Sequence, residues 1–216
     1  MIIHYVVLTC PKHSDRRESV EKTWLTSQSF TFLSNQYGTP EGYDNVSLKY
    51  ISYFKDFSNI KHNVDWYYFA DDDAHVYPQK LENYLSGLDC TSSIAAGYHL
   101  RRKLDKSKLH GDISSTNLEG IDYLAGGPGF AVSLPAMLKL FLYLLNHPNP
   151  PWYRFGDLSF GFWFRDVGVR LIYFDEHLYG TANAKFVNHN LEQIKRRYAY
   201  HYIPPHKQKL MHALRL

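Results

Sequence analysis

Three consecutive carboxylates, Asp71, Asp72 and Asp73, follow the apolar run Trp66–Ala70. Such a run is typical of a strand covered on both faces, and ligands bind at the carboxyl ends of strands in open α/β sheets. Adjacent carboxylates repel one another unless a cation or tight hydrogen bonding compensates their charge, and hard oxygen ligands suit Mg²⁺ or Mn²⁺. The triplet therefore indicates a divalent-metal site at a strand end. The alternative is a solvated acidic turn that caps the helix at Pro78.

Three later segments also carry residues suited to chemistry. Gly126–Gly129 has three glycines in four positions, which lets a backbone approach a ligand closely, although a plain turn before a strand is the alternative. Asp157 lies among aromatic residues, where a carboxylate has a raised proton affinity that suits a general base; an N-cap aspartate is the alternative. His189 could join carboxylates in a Mn²⁺ site; the alternative is a structural role, which is the more frequent one for any one of 12 histidines.

The hydrophobic pattern predicts an α/β scaffold for these residues, because strand-length apolar runs alternate with segments of helical period. Strands are predicted at residues 2–8, 49–54, 66–70, 94–97, 130–132 and 169–174. Helices are predicted after an N-cap at Ser14 or Asp15, from Pro78, after the N-cap residue Ser133, and from Asp157. The basic tail from Lys195 is predicted to form an amphipathic helix. No repeat or linker divides the chain, so a single domain is expected over residues 1–216.

Composition narrows the class of protein. Hydrophobic residues make up 44% of the 216 residues, which indicates a folded domain and excludes a disordered chain. The net charge of +3 is too small to indicate nucleic acid as a partner. Two cysteines, Cys10 and Cys90, exclude a disulfide-rich scaffold and a multi-cysteine zinc site. The apolar segment Leu134–Leu145 is far shorter than the ~20 residues that span a bilayer.

The order and spacing of the segments resemble the Fringe-like β1,3-glycosyltransferases, a group that includes the core 1 β1,3-galactosyltransferases. Thr9–Trp24 is similar to their N-terminal strand end, basic loop and helix, and Trp66–Val76 to their Asp-Asp-Asp motif. Gly126–Ser133 matches their Gly-Gly-Ala-Gly segment and Gly156–Gly161 their Asp-x-x-x-Gly segment. Phe186–His189 resembles their late Phe-x-x-His. The resemblance covers residues 1–192.

This resemblance implies a single-domain GT-A fold, Rossmann-like, with a mostly parallel central sheet flanked by helices. Its nucleotide-sugar half would span residues 1–100 and its acceptor half residues 101–216. It further implies an inverting enzyme that uses Mn²⁺, or Mg²⁺ as the alternative. The donor would be a UDP-sugar carrying a hexose or N-acetylhexosamine, and the acceptor a glycan, glycolipid or glycoprotein joined through a β1,3 linkage.

Carried over by position, the resemblance implies roles for individual residues. Asp157 would be the catalytic base, and Asp73 and His189 would be metal ligands. The donor-binding residues would be Thr9, Arg16, Asp71, Asp72, Gly126 and Gly127. Among the nearby aromatic residues, Trp152 and Phe155 could stack on acceptor sugar rings, with packing in the core as the alternative.

Three positions depart from the pattern: Gly156 stands where many members have a second acidic residue, Pro128 replaces alanine, and His75 replaces tyrosine. Three other classes of protein remain open. A sugar nucleotidyltransferase would share the metal but should carry a glycine-rich, basic N-terminal loop, whereas Cys10–Arg17 has basic residues and no glycine. A glycoside hydrolase would also use two carboxylates but needs no metal. A catalytically inactive sugar-binding module would keep the aromatic residues without needing the base.

The expected location is the cytoplasm, because the first eight residues lack the basic region of a signal peptide. The alternative is the trimmed catalytic domain of a Golgi-luminal enzyme. Basic residues of the tail, from Lys195 to Arg215, could touch an anionic membrane at roughly 1 kcal/mol per residue near the surface.

Overall fold

The computed structural model describes residues 1–113, 120–174, 179–181 and 197–213. The first half of the chain forms β1 (Ile3–Leu8), α1 (Ser14–Glu21), β2 (Ser29–Leu33), α2 (Val46–Lys55), β3 (Trp66–Asp71), β4 (His75–Val76), α3 (Pro78–Leu85) and β5 (Ile94–Arg102). The second half forms β6 (Leu109–His110), β7 (Ile121–Leu124), β8 (Phe130–Ser133), α4 (Leu134–Asn146), β9 (Trp152–Tyr153), α5 (Gly156–Asp166), β10 (Arg170–Phe174), β11 (Tyr179–Thr181), β12 (Ala199–His201) and α6 (Pro205–Ala213).

The central sheet has the strand order β10-β5-β8-β3-β1-β2, and β7 pairs with the far end of β5. Strands β2, β1 and β3 are parallel neighbours, and so are β5 and β10. Only β8 runs against its neighbours β3 and β5 on this path. A second, three-stranded sheet joins β11, β12 and β4. The predicted α/β class with a mostly parallel central sheet is therefore confirmed.

Helices cover both faces of the central sheet. On one face, Tyr67 and Phe69 of β3 pack in a core with residues of α2, α4 and α5. On the other face, Trp66, Tyr68 and Ala70 pack with residues of α1 and α3. The alternation along β3 buries every side chain from 66 to 70, as expected of a strand covered on both faces.

The predicted strand at residues 49–54 is wrong, because this segment lies within helix α2. Its residues are buried on a helical spacing, with Tyr50 and Phe54 both against Phe69 of β3 and Phe160 of α5. A short run of aromatic and β-branched residues satisfies either period, and here tertiary packing selects the helix. The sequence interpretation also omitted β2, which forms the edge of the sheet.

Helix starts were predicted with mixed success. The hydroxyl of Ser133 accepts from the backbone N–H of Ala136, which confirms it as the N-cap of α4. Neither Ser14 nor Asp15 caps α1, because a 3₁₀ turn at Pro11–His13 leads directly into the helix.

The tail contains both strand β12 and helix α6. Among the described residues, no helix is long and apolar enough to cross a membrane.

Candidate functional site

The acidic turn, Asp71–Ala74, lies where the carboxyl ends of β1 and β3 meet. These parallel strands place Leu8 opposite Asp71. The backbone N–H of Asp72 donates to the carbonyl of Leu8 at 3.0 Å, and that of Ala74 donates to the carbonyl of Asp71 at 3.0 Å. The three carboxylates are therefore held beside the loop that follows β1.

Asp72 is buried and bound by side chains of that loop and of helix α1. Its Oδ2 accepts from the hydroxyl of Thr9 at 2.7 Å and lies 3.0 Å from Nδ1 of His13. Its Oδ1 accepts from Nη1 of Arg16 at 3.2 Å. The structure thus brings together Thr9, Arg16 and Asp72, all predicted to bind the donor. These contacts compensate the charge of Asp72, so its carboxylate organises the loop.

Asp71 and Asp73 form a candidate metal centre with His201 of β12. One carboxylate oxygen of each aspartate and one ring nitrogen of His201 lie within 4.8 Å of one another. Nε2 of His201 is 3.1 Å from Oδ1 of Asp73 and 3.6 Å from Oδ2 of Asp71. The other oxygen of Asp73 accepts from Arg16 at 3.3 Å.

The chemistry of this group fits a divalent cation. Oδ1 of Asp73 is buried, and within the described ranges it accepts no hydrogen bond, because the contact with His201 lacks hydrogen-bonding geometry. A buried carboxylate oxygen without a donor requires a cation or a proton. Two carboxylates and one imidazole form a donor set that suits Mn²⁺ or Mg²⁺.

Asp71 has an unusual proton affinity. A third of its side chain reaches the surface of a concave site, yet the walls of that site remove most of the surrounding water. This burial, together with the neighbouring charges of Asp73, Asp72 and Asp157, raises the pKa of Asp71 to about 7, although His201 opposes the shift. A bound cation would favour the ionised form.

Local backbone geometry creates the space for His201. A Cβ at Gly127 would lie 2.1 Å from Cε1 of the imidazole, so only glycine leaves room for this ring. The ring of Tyr202, a residue with φ of +61°, stacks on the imidazole with centroids 3.7 Å apart. Gly127 was predicted to bind the donor, and it accommodates the candidate metal ligand.

The sequence interpretation did not single out His201. The predicted ligand His189 lies outside the described residues, so its role stays a prediction. Tyrosines at 198, 200 and 202 alternate with other residues around His201. That alternation is a strand signal, and it would have placed a histidine at a strand end.

An acidic cavity of about 300 Å³ opens at this point. Its walls are the loop after β1, the acidic turn, His201 with Tyr202, and the segment from Glu41 to Lys49. Thr9 and Arg16 both line it. Lys49 is buried in its wall, where Nζ donates to the carboxylate of Glu41 at 3.0 Å and to the carbonyl of Thr9 at 3.2 Å.

Asp157 lies in the first turn of α5 and is held by backbone amides. Its Oδ2 accepts from the N–H of Gly126 at 3.3 Å, and its Oδ1 accepts from the N–H of Leu158 at 2.8 Å. Burial raises the pKa of Asp157 above its usual 3.8, and these hydrogen bonds only partly oppose that shift. The carboxylate is thereby oriented and retains a raised proton affinity. Gly126, predicted to bind the donor, supports this residue.

The departure at Gly156 has a steric cause. A Cβ there would lie 2.6 Å from the ring of Tyr50 and 2.8 Å from the side chain of Val46. Helix α2 packs too closely against the start of α5 to admit an acidic side chain at this position. Asp157 is therefore the carboxylate that α5 contributes to the site in this chain.

A second cavity of about 210 Å³, here called the Asp157 cavity, adjoins the acidic cavity. Asp71, His201 and Tyr202 line both, so the two share a wall. Phe155 lines the Asp157 cavity, and its role in acceptor binding stays a prediction. Trp152 lines neither cavity and stacks on His110, with ring centroids 4.1 Å apart. Packing explains Trp152 without a ligand.

The sequence of this chain matches a family of glycosyltransferases. The family model described as galactosyltransferase matches residues 36–175, which is more than half of the chain. The chain belongs to the galactosyltransferase family, and its function is glycosyl transfer. No curated protein sequence matches it.

Two solved glycosyltransferase structures match this chain. One is a glycosyltransferase involved in the glycosylation of the major capsid of PBCV-1, with 13% identity and a TM-score of 0.56; the match covers 98% of this chain and 99% of that one. This likeness supports the GT-A fold. The other is the galactosyltransferase LgtC in complex with donor and acceptor sugar analogs, with 11% identity, a TM-score of 0.48 and coverage of 98% and 95%.

Proposed function

We propose that this chain is a Fringe-like enzyme that transfers a hexose or N-acetylhexosamine from a UDP-sugar to a glycan, glycolipid or glycoprotein. The transfer inverts the anomeric centre, forms a β1,3 linkage and depends on Mn²⁺. One observation carries the proposal. The cation-binding group of Asp71, Asp73 and His201 faces the acidic cavity, and the buried carboxylate of Asp157 faces the adjoining cavity, which shares a wall with it. Such an arrangement supports a donor in the acidic cavity and an acceptor beside Asp157.

The acidic cavity suits the diphosphate of the donor. A Mn²⁺ ion held by Asp71, Asp73 and His201, or Mg²⁺ in its place, would supply positive charge that stabilises the leaving diphosphate. Arg16 lies against two of the acidic residues with a third of its side chain exposed. Guanidinium groups pair well with phosphate oxygens, so Arg16 is placed to bind the donor beside the ion.

Asp157 performs the proton transfer in this proposal. An acceptor hydroxyl in the Asp157 cavity gives its proton to the carboxylate. The hydroxyl oxygen forms a bond to C1 of the sugar on one face, while the bond from C1 to the diphosphate oxygen breaks on the other. The electron pair of that broken bond stays on the diphosphate. A single displacement of this kind turns an α-linked donor into a β-linked product.

The site argues against two of the three other classes. A glycoside hydrolase needs no cation-binding group, whereas Asp73 presents a buried oxygen without a hydrogen bond from any described residue. An inactive sugar-binding module needs no carboxylate of raised proton affinity, whereas the site holds Asp157 in an oriented and buried position.

A thermal-shift comparison followed by a transfer assay tests the proposal. UDP with Mn²⁺ should raise the melting temperature, while UDP with EDTA, and the ADP and GDP controls with Mn²⁺, should have little effect. Incubation with UDP-galactose, UDP-glucose or UDP-N-acetylglucosamine and a panel of glycans should give a product whose NMR coupling is that of a β-linkage. An α-linked product contradicts inversion, and an equal response to all nucleotides with EDTA contradicts the metal-dependent UDP site.

A further inference from the structure

The C-terminal segment, residues 197–213, returns to the acidic turn and binds its backbone. Strand β12 pairs antiparallel with β4, so Tyr200 lies opposite His75 immediately after the turn. Two residues past β12, the backbone N–H of Ile203 donates to the carbonyl of Asp73 at 2.8 Å. The same segment supplies His201. It therefore contacts the candidate metal centre through both its side chains and its backbone.

Gln208 of α6 makes the most extensive of these contacts. Its side chain is buried, with 1% of the residue exposed, although glutamine usually lies at the surface. Nε2 donates to the carbonyl of Ala74 at 3.0 Å and lies 3.5 Å from the carbonyl of Asp72. Oε1 accepts from Nδ1 of His75 at 3.2 Å, which fixes the orientation of the amide. All three partners lie in or next to the acidic turn.

Trp24, which follows α1, also binds the turn. Nε1 of Trp24 donates to the carbonyl of Ala74 at 3.0 Å, so this oxygen accepts from both Trp24 and Gln208. The carbonyls of Asp72, Asp73 and Ala74 consequently all have partners from outside the turn. A turn fixed in this way cannot reorient its carboxylates freely. The direction in which Asp71 and Asp73 face His201 then depends on these contacts.

We infer that Gln208 is a positioning residue for the cation site, which holds the backbone of the acidic turn so that its carboxylates converge on His201. The inference rests on the proposed Mn²⁺-dependent function. Residues that orient metal ligands without touching the metal typically change metal affinity by 10–100-fold, roughly, when they are replaced. The contacts of Gln208 give it this orienting role. It lies in helix α6, 136 positions after Asp72 in the sequence.

Substitution of Gln208 by methionine, Gln208→Met, tests the inference because it keeps the length and removes both hydrogen-bonding groups. Titration calorimetry with Mn²⁺ in the presence of UDP should give an affinity about 10–100-fold below that of the unsubstituted protein. In transfer assays the KM for the donor should rise, while kcat at saturating donor and metal should stay within about threefold. Leu144→Ala is the matched control, since Leu144 is fully buried on the other face of the sheet. It should lower the melting temperature while Mn²⁺ affinity remains unchanged.

The outcomes separate this inference from the proposed function. If the unsubstituted protein binds no Mn²⁺ with UDP, the proposed function fails. If it binds Mn²⁺ and Gln208→Met binds within about twofold of it, only the positioning role is overturned. If Gln208→Met does not fold, His75→Phe takes its place, because it removes the hydrogen bond that orients the amide and keeps Gln208. A Mn²⁺ affinity unchanged in that variant overturns the inference, and a reduced affinity supports it.

Discussion

The acidic cavity and the Asp157 cavity share a wall but hold their carboxylates in different ways. In the acidic cavity, Asp72 is surrounded by Thr9, His13 and Arg16, and Asp73 accepts from the same arginine. In the Asp157 cavity, the backbone amides of Gly126 and Leu158 donate hydrogen bonds to the carboxylate of Asp157. Burial raises the pKa of Asp157 while those amides keep its direction fixed.

This difference shows how surroundings assign roles to chemically identical side chains. The charged side chain of Arg16 binds Asp72 and Asp73, which suits the organisation of a loop and the binding of a cation. Neutral donors in a poorly hydrated site leave a carboxylate with a higher affinity for protons, which suits a base. Asp72, Asp73 and Asp157 therefore differ in expected role because of what lies within hydrogen-bonding distance of each.

The largest effect is expected from Asp157→Asn. An amide cannot accept the proton of the acceptor hydroxyl, so kcat should fall by roughly 10²–10⁴-fold. Binding of Mn²⁺ and UDP should match that of the unsubstituted protein, because Asp157 makes its hydrogen bonds on the other side of the shared wall. Steady-state transfer kinetics and calorimetry measure the two quantities. A variant that keeps a tenth or more of the turnover removes Asp157 from the role of base.

Asp73→Asn and Asp72→Asn, both in the acidic cavity, should have different effects on UDP binding and on stability. Asp73→Asn removes a ligand and should abolish Mn²⁺-dependent UDP binding with little loss of stability. Asp72→Asn weakens contacts with Thr9 and Arg16, and hydrogen bonds to charged groups contribute about 1.5–3 kcal/mol, so its main effect should be a lower free energy of unfolding. Calorimetry and urea denaturation of both variants check this. The reverse pattern would assign the cation to Asp72.

A smaller effect is expected from Gly127→Ala, which tests the position of His201. The added Cβ would overlap the imidazole and displace it, so Mn²⁺ affinity should fall by about tenfold or more. Gly87→Ala is the matched control, because its Cβ would meet only the carbonyl of Tyr84 at an ordinary 3.6 Å. Equal Mn²⁺ affinities for the two variants would show that His201 is no ligand.

The smallest effect lies in the pH dependence of turnover. Asp157 must be ionised to accept a proton, and burial raises its pKa above the usual 3.8. The rate should therefore fall as the pH drops through a pKa above 3.8. A profile of kcat against pH, at saturating donor and Mn²⁺, measures this acidic limb. A limb at or below 3.8 would contradict the burial argument.

Several elements could be predicted from local patterns. The continuous apolar run before Asp71 indicated a strand covered on both faces, and that strand is β3. The hydroxyl of Ser133 was recognised as an N-cap because the capping interaction is local. Residues 49–54 were assigned to a strand because a short aromatic segment satisfies two periods, and only its packing against Phe69 and Phe160 decides between them.

The sequence by itself determined the α/β class, the strand end that carries Asp71, Asp72 and Asp73, and the segment that carries Asp157. These features depend on neighbouring residues, whose periodicity and charge can be examined along the chain. Only the tertiary structure brought His201 and Gln208 to the acidic turn. It also decided that Asp72 is bound by side chains and Asp157 by backbone amides. Ligand sets and proton affinities depend on groups that folding brings together from distant positions, and no local pattern records their distances or their burial.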